Sequence, residues 1–375
     1  MNAVDAFLLV TMLALLLVYQ WLFRLLPRER WQFLATVPWR KQANGQWHGR
    51  NLTLYGLFSA LAGGTACTTF LFLATSAGTP TGIALLAVLA TLLACLPAAK
   101  WIAATVEKNP HGFTVGGASF VGVLLAPWLL QVCDAIAIAA SGVNIPVMPL
   151  LAAMSIAYVL GEGIGRLACL SFGCCYGKPM HLAAPWLQRC CALSDHRYVG
   201  HTRKASFAGE LEGVRVVPVQ SATCVVYTLL ALGSTSLFFH QHHTTALLLS
   251  LLGSQCWRLV SEQWRADFRG THKHLSPYQW MSIVACVYIV AVSIWLPEHN
   301  MATDAALGIT ALWQPEVIIT LQVITLAIFF YTGSSTITEA QIRFDLVADW
   351  KTREGLEKSA PLTTTLSRDA PADVH

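Results

Sequence analysis

Long apolar stretches separated by short polar segments run along most of the chain. A helix needs about 20 mainly apolar residues to cross the hydrocarbon core of a bilayer. On this criterion the pattern predicts about nine transmembrane helices, at residues 5–27, 53–76, 82–104, 114–140, 147–171, 216–239, 244–261, 278–297 and 316–336. The predicted fold class is an all-α polytopic membrane protein.

The composition agrees with this pattern and excludes an ordinary soluble domain. Hydrophobic residues make up 55% of the 375 residues and charged residues only 12%, against about 25% charged in soluble domains. The basic residues of the first helix follow its apolar run, and no small-residue cleavage site comes after it. We therefore predict a retained helix and not a cleaved signal peptide. We expect the membrane to surround the chain, and we expect no nucleic-acid partner.

The basic residues predict an orientation in the membrane. With nine spans, all 24 Lys and Arg residues fall on one side, which the positive-inside rule assigns to the cytoplasm. The N-terminus is then outside and the C-terminal tail inside. The basic and aromatic loop 28–52 suits an anionic lipid surface.

A charged pair lies at the end of the fifth predicted span. Glu162 and Arg166 are four residues apart and therefore share a helix face. A charge at the centre of a membrane helix costs about 2.5–3.5 kcal/mol, and less near the interface, so it usually faces a partner or an anionic ligand. The pair is either an ion pair that locks helices together or part of a functional site.

A second charged group consists of Arg258, Glu262 and Arg265, which are spaced by four and three residues and share a face. An interfacial helix end whose side chains extend toward water explains Arg265 well. It explains Arg258 less well, because an apolar run from Ala246 precedes that residue.

Two uncharged motifs add candidates. Gly116 and Gly117, followed by Gly122, indicate either close helix packing or the approach of the backbone to a ligand. Gln220 follows Pro218 at a predicted helix start, where it either binds a ligand or caps the helix.

The order of these motifs along the chain points to a family. The motifs are Tyr55-Gly56-Leu57, Gly116-Gly117 with Gly122, Gly165-Arg166 followed by Gly173-Cys174-Cys175-Tyr176-Gly177-Lys178-Pro179, Pro218-x-Gln220, and Arg258-x-x-x-Glu262-x-x-Arg265. Over residues 53–297 the sequence resembles the prolipoprotein diacylglyceryl transferase family. The resemblance implies a seven-helix bundle that moves the diacylglyceryl group of phosphatidylglycerol onto a cysteine thiol, in a bacterial plasma membrane.

The resemblance also implies a division of the chain. Residues 53–297 would form the diacylglyceryl-transferase-like core with a polar cap at 173–215, and one added helix would lie at each end. Residues 1–52 would hold the added N-terminal helix and the basic loop, and residues 298–337 the added C-terminal helix. The polar tail 338–375 is expected to begin as an amphipathic helix and to end disordered.

Site roles follow from the same resemblance. Arg166 and Arg258 would hold the lipid phosphate, while Glu162 and Glu262 would orient the arginines or accept the proton of the acceptor. A larger set would line the headgroup cavity or assist binding: Tyr55, Gly116, Gly117, Gln220, Arg265 and Lys178. The expected partners are phosphatidylglycerol or another anionic phospholipid and a prolipoprotein.

Several positions depart from the family pattern. Val115 and Val217 stand where the family has histidine, and Cys169 stands where it has asparagine. His111 could substitute for the first histidine if that stretch is helical. These departures favour a second hypothesis, a catalytically silent lipid-binding relative that acts as a scaffold or partner subunit. A transporter is disfavoured because no ionisable residue is predicted at the midplane.

The predicted orientation in the membrane also departs from that of the family. In the family the arginine side of the bundle faces away from the cytoplasm, whereas the charge count places it inside. Either the topology is reversed and the acceptor is cytoplasmic, or basic residues that bind lipid mislead the rule.

Five of the eleven cysteines lie on or after the fifth span: Cys169, Cys174, Cys175, Cys190 and Cys191. On the cytoplasmic side they would be reduced. Zinc binding by the last four with His181, His196 or His201 is a disfavoured alternative, because adjacent Cys-Cys pairs do not match common ligand spacings. A nucleophilic Cys175 beside Lys178 is an alternative to small apolar fillers at a helix end. We expect no metal and no other cofactor.

Overall fold

The computed structural model confirms an all-α polytopic membrane protein. It describes residues 3–29, 32–41, 43, 47–106, 115–192, 194–267, 274–298 and 302–334, together with the pairs 342–343, 345–346 and 365–366. Its helices are α1 (Ala3–Leu25), α2 (Leu54–Ser76), α3 (Thr81–Val106), α4 (Val115–Ser141), α5 (Val147–Phe172), α6 (Pro185–Cys190), α7 (Lys204–Phe207), α8 (Val219–Phe239), α9 (His243–Glu262), α10 (Pro277–Trp295), α11 (Ala305–Leu312) and α12 (Pro315–Thr332).

Each of the nine predicted spans corresponds to a helix. Within the described part of the chain, eight helices are long and apolar enough to cross a membrane, and α9 falls outside that set. The buried face of α9 carries Ser250, Ser254 and Gln255, and its last turns carry Arg258. Helix α9 is less apolar than the eight other helices because several of its buried side chains are polar.

Helix α5 is the centre of the bundle. Of its apolar window 78% is buried, against 11% for α1 and 6% for α12, and it packs against α2, α8 and α9. Gly161 allows the close approach of α2, since a Cβ at this position would lie 2.7 Å from the Cβ of Ala66.

The two outer helices pack on this core. Helix α1 lies against α8, where the Tyr19 and Thr228 hydroxyls are 3.0 Å apart. Helix α12 lies against α2, and a Cβ at Gly56 would lie 2.1 Å from the Cα of Gly333, the residue that follows α12. Both packing contacts involve the core helices next to α5.

The segment predicted as a basic loop at 28–52 contains a β-hairpin instead. Strand β1 (Phe33–Lys41) pairs antiparallel with β2 (Trp47–Thr53), as its aromatic and β-branched residues favour. The expected amphipathic helix at the start of the tail is also wrong for the described residues. These form two-residue strands, namely β3 (Ile342–Arg343), β4 (Asp345–Leu346), which pairs with β2, and β5 (Thr365–Leu366), which pairs with β3.

A cap of short elements follows α5 and contains α6 and α7. Its small core consists of Tyr176, Tyr198, Ala205 and Val216. Arg203 is fully buried and donates to the carbonyls of Ser171, Val199 and Glu29. One guanidinium thereby fastens the cap to the end of α5 and to the segment that follows α1.

Candidate functional site

Glu162 lies between two arginines that come from different helices. Nη2 of Arg258 on α9 donates to Oε1 of Glu162 at 2.5 Å, and Nη2 of Arg166 donates to the same oxygen. Tyr158 donates to the other oxygen, Oε2. The Glu162 side chain is only 3% exposed, and those of Arg166 and Arg258 are 15% and 12% exposed. Two guanidiniums share one carboxylate, so this group carries one positive charge in its ionised form.

The helical repeat explains how α5 contributes three of these side chains. Tyr158, Glu162 and Arg166 follow one another at intervals of four residues and so lie on one face of the helix. The sequence predicted the Glu162–Arg166 pair, and the structure forms it. Tyr158 was missed, although the same spacing could have identified it.

Arg258 also connects the site to the start of α4. Its Nη1 donates to Oγ of Ser119 at 3.1 Å, and Ser119 in turn donates to the carbonyl of Gly116 at 2.9 Å. The predicted residues Gly116 and Gly117 therefore lie in the first turn of α4. Ser119 lies between the carbonyl of Gly116 and the guanidinium of Arg258. No pattern in the sequence pointed to Ser119.

A second charged group follows α9. Arg265 donates to both oxygens of Asp267, at 2.8 and 2.5 Å, and lies 3.7 Å from Glu262. The hydroxyl of Ser276 lies 3.4 Å from Oε1 of Glu262. One arginine faces two carboxylates, so this group carries one negative charge when ionised. Sequence reasoning had not included Asp267.

A small cavity separates the two charged groups. Its volume is about 20 Å³, which is room for about one water molecule. The lining residues are Arg166, Cys175, Val219, Gln220, Thr223, Tyr227, Arg258, Ser261, Glu262 and Arg265. Five of the predicted site residues thus line one cavity. Glu162 is not part of the lining, but it is paired with Arg166 and Arg258, which are.

Two other predicted residues, Tyr55 and Lys178, are not among the residues that line this cavity. Tyr55 packs edge-on against Phe172 with the ring centroids 6.0 Å apart. The Lys178 side chain is exposed, while its backbone N–H donates to the carbonyl of Trp264 at 2.8 Å. Neither residue contributes to the lining in this conformation.

Gln220 holds the loop that follows α5. Its Nε2 donates to the carbonyl of Cys174 at 2.8 Å and to the hydroxyl of Tyr198 at 2.6 Å. The alternative role as a helix cap is wrong, because the N-cap of α8 is Pro218 and has no side-chain hydrogen bond. Among the described residues, Oε1 of Gln220 and Nε of Arg166 have no hydrogen-bond partner although both atoms are buried.

The departures from the family pattern have distinct surroundings. Val217 is buried and donates its backbone N–H to the carbonyl of Lys178 at 2.9 Å. His111 and the side chain of Val115 lie outside the described residues. Cys169 joins Cys174 and Cys175 in a group whose sulfur atoms all lie within 4.8 Å of one another. Cys190 and Cys191, which the zinc hypothesis included, are not part of that group.

Comparison with known proteins gives one family. The family model for prolipoprotein diacylglyceryl transferase matches residues 46–295, more than half of the chain. No curated protein matches the chain. The matched range includes both charged groups and the cavity between them. The chain therefore belongs to the prolipoprotein diacylglyceryl transferase family.

Proposed function

We propose that this protein transfers the diacylglyceryl group of phosphatidylglycerol to an acceptor nucleophile, either the cysteine thiol of a prolipoprotein or another group, in a bacterial plasma membrane. The observation that carries the proposal is the single carboxylate shared by Arg166 and Arg258. The positive charge that remains equals in size the one negative charge of a phosphodiester. Arginine suits this ligand because its planar guanidinium matches the geometry of phosphate oxygens.

The unpartnered atoms of the cavity support the same ligand. Nε of Arg166 offers a buried donor and Oε1 of Gln220 a buried acceptor. The amide orientation of Gln220 follows from its bonds, since Nε2 donates to the Cys174 carbonyl, which can only accept. A glycerol phosphate headgroup combines acceptor oxygens with donor hydroxyls and would satisfy both atoms.

The size of the cavity sets a condition on binding. About 20 Å³ accommodates about one water and not a phosphate group. The walls must therefore separate when the headgroup enters. Two lining residues lie outside the helices: Cys175, in the loop after α5, and Arg265, in the irregular segment 263–267 that also carries its partner Asp267.

The chemistry requires one bond to form and one to break. The acceptor, a thiolate in the prolipoprotein case, attacks the glycerol carbon of the diacylglyceryl group. The bond between that carbon and the phosphate oxygen breaks, and glycerol phosphate leaves. Arg166 and Arg258 stabilise the negative charge that develops on the leaving oxygen.

The two glutamates have different surroundings and suit different roles. Glu162 is bound by two guanidiniums and a phenol, so it orients the arginines. Glu262 lines the cavity itself, 3.4 Å from the hydroxyl of Ser276 and 3.7 Å from Arg265. We assign the acceptor's proton to Glu262.

The alternative is a catalytically silent relative that binds phospholipid and acts as a scaffold or partner subunit. Buried Val217 and the Cys169 thiol stand where the family has polar side chains, which favours this alternative. Both functions need the phosphate to bind, and only the transferase releases glycerol phosphate.

The deciding experiment measures glycerol phosphate release by the purified protein in lipid nanodiscs that contain phosphatidylglycerol labelled in the headgroup. A thiol peptide serves as acceptor. Arg166→Ala and Arg258→Ala should each lower the rate by about 10²–10³-fold. Arg197→Ala is the matched control, because Arg197 pairs with Asp195 on the exposed surface of the cap.

Two outcomes would count against the transferase. Unchanged glycerol phosphate release in both arginine variants would show that Arg166 and Arg258 do not form the active site. Phosphatidylglycerol binding by the wild-type protein without any release would leave the silent relative as the function.

A further inference from the structure

Three cysteine side chains meet where α5 ends. The sulfur atoms of Cys169, Cys174 and Cys175 all lie within 4.8 Å of one another, and each side chain is partly buried. All three are thiols and not disulfides. The proposed lipid chemistry does not use them, although Cys175 lines the same cavity as Arg166.

A specific turn of the backbone brings the three together. Gly173 and Cys175 both adopt left-handed conformations, with φ of 76° and 56°. A residue with a β-carbon seldom adopts this region, and such residues cluster at functional sites when the surroundings hold them there. The two left-handed residues reverse the chain, so that Cys174 and Cys175 fold back toward Cys169 in the last turn of α5.

The surrounding structure holds this turn in place. The carbonyl of Cys174 accepts from Gln220 at 2.8 Å, and the carbonyl of Gly173 accepts from the Ala205 N–H at 3.0 Å. A Cβ on Gly173 would lie 3.2 Å from the Cβ of Arg203. The sulfur atoms are therefore arranged in advance by contacts from α8 and from the cap.

We propose that Cys169, Cys174 and Cys175 bind one soft, thiophilic metal ion, copper(I) foremost. Metal–sulfur bonds of about 2.3 Å in trigonal or tetrahedral geometry place the sulfur atoms about 3.8–4.0 Å apart. Small rotations of the three side chains would close the present spacing to that value. Thiolate ligands select copper(I) over harder ions.

The number of ligands separates copper(I) from zinc. Within the described chain, the group contains three cysteines and no histidine or carboxylate. Zinc sites of the structural kind are almost always four-coordinate, whereas three thiolates complete a trigonal copper(I) site. We therefore expect copper(I) to bind more tightly than zinc.

The charges nearby agree with a thiolate site. One copper(I) ion with three thiolates carries two negative charges. Arg166 interacts electrostatically with Cys169 and Cys175, and Arg265 interacts with Cys175. Each of these cations attracts the negatively charged complex, while it also keeps its own carboxylate partner. Binding releases the thiol protons, so the affinity should rise with pH.

The test is a copper(I) titration of the whole purified protein under reducing, anaerobic conditions, in competition with a chromogenic copper(I) chelator. The expected result is one equivalent per chain. X-ray absorption at the copper edge should give about three sulfur neighbours at about 2.3 Å. Zinc in excess should not displace the copper.

Variants locate the site. Cys169→Ser, Cys174→Ser and Cys175→Ser should each weaken copper(I) binding at least about tenfold. The matched control is the double variant Cys190→Ser/Cys191→Ser, since these two cysteines lie in the cap outside the group. It should bind like the wild type. Helical content and gel-filtration profile confirm that each variant is folded.

A second measurement, on the wild-type protein, tests the site even if the variants fail to fold. Bound copper should protect Cys169, Cys174 and Cys175 of the wild-type protein from alkylation, as read by peptide mass spectrometry, while Cys190 remains reactive. The proposal is overturned if these three stay reactive with copper present, if the Cys190/Cys191 variant loses binding, or if zinc binds at least as tightly.

Discussion

Arg258 and Glu162 form an ion pair of 2.5 Å that joins α9 to α5, the most buried membrane helix. Arg166 shares the same carboxylate oxygen. Removal of that carboxylate would leave two buried guanidiniums close together without the charge between them.

Glu162→Gln should therefore destabilise the protein, by about 3–5 kcal/mol, because breaking a buried pair leaves a buried charge uncompensated. Thermal unfolding in nanodiscs measures the change. Asp195→Asn is the control, because its pairs with Arg28 and Arg197 are exposed and such pairs contribute about 0–1 kcal/mol. Equal stability of the two variants would mean that Glu162 does not hold the helices together.

Arg166→Lys separates charge from geometry. Lysine keeps a positive charge near Glu162 but lacks the second donor, the buried and unpartnered Nε of Arg166. We expect glycerol phosphate release to fall by about 10²-fold, with a smaller loss of thermal stability than in Glu162→Gln. Wild-type release in Arg166→Lys would show that charge alone is sufficient, while Arg197→Lys provides the surface control.

Gln220→Leu should lower glycerol phosphate release because it removes the two bonds that position the loop after α5 and deletes the buried acceptor Oε1. We expect a loss of about 10–10²-fold, of the order seen when one positioned hydrogen-bonding group is removed. Gln188→Leu, whose amide donates to the Ala183 carbonyl within the cap at 2.7 Å, controls for the loss of a similar bond elsewhere. An equal effect of both changes would argue against a role in binding.

The stability of the cap should depend on pH through His196. Burial, followed by the charges of Arg203 and Arg28, lowers the pKa of His196 from 6.5 to about 4. The unfolded chain therefore binds a proton between these values and the folded cap does not. The stabilising contribution is complete above about pH 6.5 and is lost as the pH falls toward 4, up to roughly 3 kcal/mol.

Hydrogen exchange of the cap amides at pH 7 and pH 5 measures this dependence. The cap should open more readily at the lower pH in the wild-type protein. His196→Gln should flatten the difference, whereas His201→Gln, which changes an exposed histidine, should leave it intact. A pH response that persists in His196→Gln would assign it to another group.

The orientation of the site can be read from Cys190, which is exposed on the cap. The charge count predicts that an impermeant thiol reagent will not label Cys190 in intact cells and will label it after permeabilisation. Cys190→Ser provides the background signal. Labelling in intact cells would instead place the arginines outside, where an exported prolipoprotein could reach them.

The sequence predicts the helices well because each membrane span must satisfy its own backbone in hydrocarbon and so leaves a long apolar run. It also predicts the Glu162–Arg166 pair, which depends only on the repeat of one helix. The contact of Arg258 with Glu162 depends on how α9 packs on α5, and no local pattern encodes it. The family motif alone placed Tyr55 and Lys178 at the site, yet motif membership does not determine which side chains reach the cavity.

Other features could not be predicted from the sequence because they depend on backbone conformation. The cysteine group requires two left-handed residues in the turn after α5, and a cysteine at such a position is not expected from composition. The hairpin at 33–53 was hidden by its basic residues, which suggested a loop. Asp267 lies only two residues after Arg265, and its pairing became evident only from the turn that follows α9.

The contacts of Arg203 also set an order of assembly during synthesis. The three carbonyls that it binds, from Glu29, Ser171 and Val199, all precede it in the chain. The contacts of Arg203 with the first half of the bundle can therefore form before α8 and α9 have been synthesised. The Arg258–Glu162 bridge must wait until α9 has been inserted. The nascent protein can thus build the cap over a site that does not yet hold its full set of charges.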